Sequence, residues 1–340
     1  MSIIKRSLYL GYYIKKMDWK EFHAFLNYVS KETNTSKSRI IMDAVNSIYK
    51  YNIGMMDYFI FRFYNKNDEE RAKWVGTGYK YEFDLKTDPI ETRRILQDKS
   101  AFYEAYQPFI KHAFCSIEDL EKRNERAKNV FNNKSKKIVV KDSLGQCGWG
   151  VEILKVEDYS MESLVSYMKK RKLNLVEEFI LQHKDINLLS PSGVNTVRMI
   201  TIVNKEGDVD FLGARMRITV NSCVDNLASG NIACSINLET GKIDSDGVFK
   251  DITKESPISQ HPVTEVQLRG YQIPMWDEVL KLSKEIAAYH PENRAVGWDI
   301  AITPDGPDFI EGNHNWCEIL WQLPVNQGLK HVLEKYRAEF

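Results

Sequence analysis

Apolar residues recur three and four positions apart over Trp19–Val29 and Ser38–Tyr51, the latter through Ile41, Ala44, Val45 and Ile48, and this spacing predicts two amphipathic helices. Gly54 breaks the pattern, and a dense aromatic run, MMDYFIFRFY over Met55–Tyr64, ends in the polar turn Asn65-Lys66-Asn67-Asp68. Residues 1–95 therefore read as mainly helical. From Glu91 the stretch ETRRILQDKSAFYEAYQPFI reads as two helical segments meeting at Asp98-Lys99-Ser100. Beyond it the period changes to that of strands: KKIVVK (136–141), VEILKV (151–156), LVEEFI (175–180), NTVRMITIVN (195–204), VDFLGARMRITV (209–220) and 232–238. Amphipathic helices are expected over 161–172, over 274–289 and after Pro324, with residues 250–272 irregular around Pro257 and Pro262.

The most informative stretch is AVGWDIAITPDGPDFIEGNHNW, Ala295–Trp316. Two apolar runs flank Pro304-Asp305-Gly306, the composition of a three-residue hairpin loop with glycine in the left-handed position. Centring the loop on Asp305 puts Asp299 opposite Glu311, and Asn313, two residues on, shares the face of Glu311. Like charges directly opposite each other repel unless something cationic lies between them, and all-oxygen donors suit magnesium or manganese. The bland alternative is a solvated acidic hairpin.

Upstream, Gly145, Gly148 and Gly150 lie between two strands and not at a strand-to-helix junction, so they form no dinucleotide fingerprint, and no GK[ST] phosphate loop is present. A glycine loop between strands can still fold over phosphates through its N–H groups, with Lys141 placing its ammonium on the same oxygens. Glu177 and Glu178 point to opposite faces of their strand, so at most one serves a site there. His183 and Asp185 follow in a polar connection. Arg198 interrupts an apolar strand, and Arg215 and Arg217 share one face of the next, either a solvated edge or a clamp for phosphate or carboxylate oxygens.

Composition narrows the setting. The 340 residues include 47 basic and 47 acidic side chains, so no overall field favours nucleic acid or an acidic membrane. The five cysteines form no CxxC pair, which suggests neither a disulfide framework nor a zinc site and fits a reducing cytoplasm. No apolar run approaches the roughly 20 residues of a membrane span. Residues 3–19 mix basic with apolar and aromatic side chains, as an interfacial helix at a membrane surface would, although an ordinary packing helix reads the same way.

Lys99, the strand lysine Lys141 with its glycine loop, the VEEF strand and the terminal D…EGN pattern together resemble the ATP-grasp superfamily over about residues 95–330. NTVRMIT, DNLASGN and GWDIAITPDGPDFIEGNHNW look most like its sugar-transfer-associated branch, found among polysaccharide-biosynthesis proteins. The resemblance implies an α+β, ATP-grasp fold, two α+β subdomains clasping the nucleotide, divided as a helical region (1–95), a lid subdomain (96–176) and a metal- and nucleotide-binding subdomain (177–340). It also implies that Lys99, Lys141 and the loop from Gly145 through Gly148 to Gly150 hold nucleotide phosphates. The strand with Glu177, Glu178 and Phe179 would line the adenine pocket, and Asp185 would reach the ribose. Asp299, Glu311 and Asn313 would bind magnesium, and Arg198 and Arg215 would face the transferred phosphoryl group or the substrate carboxylate. The activity implied is an ATP- and magnesium-dependent carboxylate–amine ligase acting through an acyl phosphate on a small-molecule sugar acid or amino acid in surface-polysaccharide biosynthesis. A phosphotransferase and a non-catalytic nucleotide-binding regulator are the alternatives. The sequence departs from familiar members in its helical start, in His-Asn-Trp after Asn313, and in SGN at 229–231 where paired glycines are expected.

Overall fold

The computed structural model describes residues 3–145 and 150–339. The N-terminal region is helical as its periodicity requires: α1 (Ile3–Lys16), α2 (Trp19–Glu32), α3 (Lys37–Tyr51), α4 (Met55–Ile60), α5 (Asp68–Ala72) and α6 (Thr77–Thr87). Asp18 caps α2 by accepting the N–H groups of Lys20 at 2.9 Å and Glu21 at 3.1 Å. The apolar stripes of α2 (Phe22, Phe25, Leu26, Val29) and α3 (Ile40, Ala44, Ile48) meet around the aromatic run, whose Tyr58, Phe59, Phe61 and Phe63 are buried. That run forms α4 and a following 3-10 turn, and its residues are mostly buried, the carboxylate of Asp57 among them, because protein surrounds it.

After α7 (Lys99–Ala105) comes a four-stranded antiparallel sheet built from β1 (Phe114–Ser116), β2 (Lys137–Lys141), β3 (Glu152–Lys155) and β4 (Leu175–Glu178), in the order β1-β4-β2-β3. The helices α8 (Ile117–Lys122), α9 (Glu125–Phe131) and α10 (Met161–Arg171) pack on one face of this sheet against Ile138, Val140 and Val176. Alternation then leaves Val139, Lys141 and Glu177 on the other face. The subdomain boundary expected after residue 176 falls inside β4, because β4 pairs with both β1 and β2.

A second antiparallel sheet, ordered β7-β6-β5-β8-β9, forms the body. Its strands are β5 (Thr196–Val203), β6 (Val209–Ile218), β7 (Ile232–Ile236), β8 (Ala295–Thr303) and β9 (Gly306–Asn313). Four helices accompany it: α11 (Lys184–Leu189), α12 (Trp276–Tyr289), α13 (Glu318–Gln322) and α14 (Lys330–Arg337). His183 is thus a helix cap at the start of α11 and not part of an irregular connection. On one face Val197, Met199, Met216, Trp298 and Ile300 bury against Val279 and Ile286 of α12. The other face is divided. Its lower half is apolar (Ile200, Ile202, Leu212, Ala295) under Trp316, Trp321 and Leu333, and its upper half carries Thr196, Arg198, Arg217 and Asp299.

The β8–β9 hairpin corrects one expectation and meets another. Thr303 pairs with Gly306, so the loop has two residues, Pro304 and Asp305, and Gly306 takes φ +113° at the head of β9. This register alone would set Asp299 against Ile310. A bulge between Asp299 and Ile300 inserts Ile310 and restores the pairing of Asp299 with Glu311 and of Gly297 with Asn313. Among the described residues no helix is long and apolar enough to cross a membrane.

Candidate functional site

The polar face of the four-stranded sheet and the charged half of the five-stranded sheet look at each other across a cleft of about 220 Å³. Lys99, Lys141, Gly145, Glu177, Glu178, Phe179, Asp299 and Glu311 all border it, although they come from segments up to 212 positions apart in sequence (Lys99 to Glu311). Lys99 starts α7, where Asp98 caps the helix by accepting Ser100 N–H at 2.8 Å. Its Nζ donates to the Gly145 carbonyl at 2.6 Å and lies 3.7 Å from Glu311 Oε2, so one ammonium ties the glycine loop to the hairpin. Lys141 is buried in an ion pair with Glu177. Burial works against the Glu177 charge, but Lys141 and His112 more than offset it and hold the carboxyl below its usual range. Glu178 points the other way and accepts the N–H of Ala113 at 3.2 Å.

Four charged groups lock together on the body sheet. Arg198 grips both carboxylate oxygens of Asp299, with Nη2 to Oδ2 at 2.8 Å. Arg217 Nη1 donates to Asp299 Oδ2 at 2.6 Å while its Nη2 reaches Asp225 at 2.7 Å. Asp299 is buried, which alone would raise its pKa, yet the two arginines hold it well below the ordinary carboxylate range. Burial likewise opposes the charge of Arg217, and Asp225 and Asp299 keep it protonated.

Several expected residues stand elsewhere. Arg215 does not border the cleft: it is buried against the Trp321 carbonyl, with Nε at 2.9 Å, and also donates to the Ala214 carbonyl at 2.7 Å, so it anchors α13. Its pKa is lowered by burial to about 10. Arg217, two residues along the same strand face, borders the cleft instead. Arg198 lies beneath Asp299 as a support and not on the cleft wall. Asp185 sits on α11, away from the cleft, with its carbonyl accepting from Tyr271 and its carboxylate 3.6 Å from His183. Gly150, at φ +73°, is not among the lining residues, and Gly148 lies outside the described residues. Asn313 donates its amide to Glu311 Oε1 at 3.2 Å and to the Gly297 carbonyl at 3.4 Å.

The residues to which sequence reasoning assigned no role of their own are Thr196, Arg217, named only as half of an arginine clamp, Asp225, Asn226 and the bulged Ile310, all of which line the cleft. The shared face of Arg215 and Arg217 was a signal for the second of these. The Asp225–Asn226 pair opens a loop whose small polar composition was visible but whose destination was not.

Among the described residues no group of three or more His, Cys, Asp or Glu side chains is placed to hold a metal ion by itself. Asp299, Glu311 and Asn313 instead supply two carboxylates and an amide, the small oxygen set that suits magnesium when phosphates and water complete the shell. A carboxylate offers about four lone-pair sites, of which Asp299 uses three on arginines, while among the described residues Glu311 is held only by Lys99 and Asn313. The donor set fits the ion, with Glu311 as its most available member.

Facing lysines and acids carried on two antiparallel sheets, one a lid and one a body, define the ATP-grasp fold. The chain belongs to the sugar-transfer associated ATP-grasp family, whose family model matches residues 79–338, beginning within α6 and so earlier than residue 95. Solved structures similar to it include an L-amino acid ligase from Bacillus licheniformis, at 14% identity and a TM-score of 0.41, covering 72% of this chain and 48% of that one. The D-alanine-D-alanine ligase from Helicobacter pylori gives 12% identity and a TM-score of 0.40, with 75% and 61% covered. A RimK domain ATP-grasp protein from Sphaerobacter thermophilus DSM 20745 gives 12% and 0.39, with 73% and 70% covered. The chain thus spans about half the length of the L-amino acid ligase, 48%. No curated protein sequence matches the chain.

Proposed function

We propose that this protein is an ATP- and magnesium-dependent carboxylate–amine ligase of the cytoplasm, joining a sugar-acid or amino-acid carboxylate to an amine in surface-polysaccharide assembly. One observation carries the reading: Lys99, Lys141, Glu177, Asp299, Glu311 and Arg217, scattered through the sequence, line a single cleft between lid and body. Lys99 and Lys141 hold the phosphates, with Gly145 beside them at the cleft wall. Val139, Ile153 and Ile310 offer a base two apolar surfaces. Asp299, Glu311 and Asn313 hold magnesium, which when bound neutralises phosphate charge and favours in-line attack. Arg217, supported by Asp299 and Asp225, stabilises the negative charge that develops as a substrate carboxylate attacks the γ-phosphate. The acyl phosphate so formed is open to an amine, whose nitrogen bonds the acyl carbon as inorganic phosphate leaves and the amine gives up a proton. No protein nucleophile is required.

The test is release of ADP and phosphate by purified protein supplied with ATP, magnesium and pairs of sugar acids and amines. Turnover that requires both substrates and falls by about a hundredfold or more in Glu311→Ala supports the reading. Turnover equal in Glu311→Ala and wild type contradicts it. Phosphorus NMR separates the reaction types, since a ligase yields inorganic phosphate and an amide while a phosphotransferase yields a phosphate ester.

A further inference from the structure

A second cavity, of about 560 Å³, opens between α1, α6 and the segment after β9, and none of its lining residues belongs to the charged cleft. Its walls are aromatic: Tyr9, Tyr12 and Tyr13 from α1, Tyr81 from α6, and Trp316. Tyr9 meets Tyr81 edge-on with ring centres 5.9 Å apart. Lys80, the one basic side chain lining the cavity among the described residues, stands 3.8 Å over the Trp316 ring and is already paired with Asp84.

The polar floor carries excess acid. Glu318 borders the cavity, and Asp57 lies behind it; both are buried, at 7% and 2% exposure. Thr77 Oγ1 is 2.7 Å from Glu318 Oε1 and 2.9 Å from each Asp57 oxygen. A hydroxyl has one proton and cannot donate to both acids, so either the two negative charges stand together or one carboxyl carries a proton. Asp57 also accepts the N–H groups of Gly54 and Thr77, each at 2.7 Å, and this makes it the better-supported carboxylate. Glu318 is the member left short of donors. Burial, followed by the Asp57 charge, pushes its carboxyl up to about 7.

The cavity also approaches, through Trp316, the Arg198 that supports the charged cleft. Asn315 lines it and follows Asn313 by two residues, a chain distance of at most about 7 Å. Gly297, the β8 partner of Asn313, has no room for a side chain: a Cβ there would lie 2.7 Å from Trp316 Cβ and 3.0 Å from Arg198 Cδ. Trp316 therefore walls the cavity while its root abuts the Arg198–Asp299 pair.

We propose that this aromatic cleft is a second ligand site and takes a protonated primary amine carried on a ring the size of a monosaccharide, with the ammonium against Glu318 and the ring against the tyrosines. Aromatic faces attract cations, a buried acid lacking an ion pair completes the pocket for an ammonium, and an anionic ligand would meet Asp84 and Glu318. The volume suits a small molecule of that class. Its affinity for the amine does not rest on the ligase reading.

The experiment is calorimetric titration of the full chain with glucosamine at pH 7 in the presence of magnesium and ADP, using N-acetylglucosamine and glucose as neutral counterparts. Glucosamine is expected to bind about tenfold more tightly than either, and Tyr81→Ala and Glu318→Gln each to weaken it about fivefold or more with ADP affinity unchanged. Tyr81 is 50% exposed, so its replacement keeps the fold if Glu318→Gln does not. Glucosamine binding no tighter than glucose, or unaltered in a folded Tyr81→Ala variant, overturns the proposal. Absence of ADP release from ATP with glucosamine affinity intact would instead count against the ligase reading alone.

Discussion

The charged cleft and the aromatic cleft are assembled by different forces. In the first, side chains stand at register positions of hydrogen-bonded sheets: Thr196 pairs with Arg217 across β5 and β6, and Asp299 with Glu311 across β8 and β9. In the second, Tyr9, Tyr81 and Trp316 come from two helices and a turn, with no ladder between them. Backbone pairing fixes the positions of the first set to within a bulge. Packing alone fixes the second. The charged cleft should therefore resist changes in shape but not changes in charge, and the aromatic cleft the reverse.

The largest effect should come from Asp299→Ala, which leaves Arg198 and Arg217 buried without their shared partner. A loss of about 3–5 kcal/mol in chemical denaturation is expected, together with loss of ATP turnover. Glu311→Ala should abolish turnover as well but cost less than about 1 kcal/mol, because its side chain is 30% exposed and only loosely paired at 3.7 Å. Equal stability of the two variants would break the picture of a buried charge lock beneath an accessible ligand.

Much of the charged cleft was legible for the same reason. Period two and the hairpin composition placed Asp299 against Glu311, yet the loop is shorter than its Pro-Asp-Gly composition suggests, and the pairing is met only because Ile310 bulges out. A bulge depends on side-chain packing at a distance and leaves no local mark. Arg215 and Arg217 were indistinguishable by strand face, since what separates them is Trp321, 106 residues away in sequence, closing over the first. The helices of the first 95 residues were readable from their apolar spacing. The cavity that α1 and α6 enclose with Trp316 was not, because tyrosines at helical spacing look alike whether they face a core, a ligand or water.

Those two arginines offer the next sharpest contrast. Arg215→Ala should lower stability by about 1–3 kcal/mol through the stranded Trp321 carbonyl and loosen α13. Arg217→Ala should act chiefly on turnover, by lowering kcat with KM for ATP little changed. Steady-state kinetics beside thermal melts distinguish them, and a kcat unaffected by Arg217→Ala would remove that residue from the chemistry. Gly297→Ala bridges the regions: a clash of its Cβ with Trp316 and Arg198 should cost about 1–3 kcal/mol and impair ADP binding and glucosamine binding together. Impairment of only one would mean the clefts are independent.

The smallest effect is a pH dependence. The folded-state pKa of Glu318, about 7, lies above its ordinary value of 4.5, so its contribution to stability is full below that ordinary value and is lost as pH rises through about 7. Glu318→Gln should accordingly raise Tm relative to wild type at pH 8 and leave it nearly unchanged at pH 4, read by differential scanning calorimetry. A difference of the same size at both pH values would place the effect in packing and not in charge.

The central claim, that nucleotide and magnesium meet between Lys99 and the Asp299–Glu311 pair, is tested most directly by calorimetric titration of ATP with and without magnesium. The wild-type protein should bind ATP in a magnesium-dependent manner, Lys99→Ala should weaken binding in both conditions, and Glu311→Ala should lose the magnesium dependence while still binding the nucleotide. Binding by Glu311→Ala with the wild-type affinity and the wild-type magnesium dependence would contradict it.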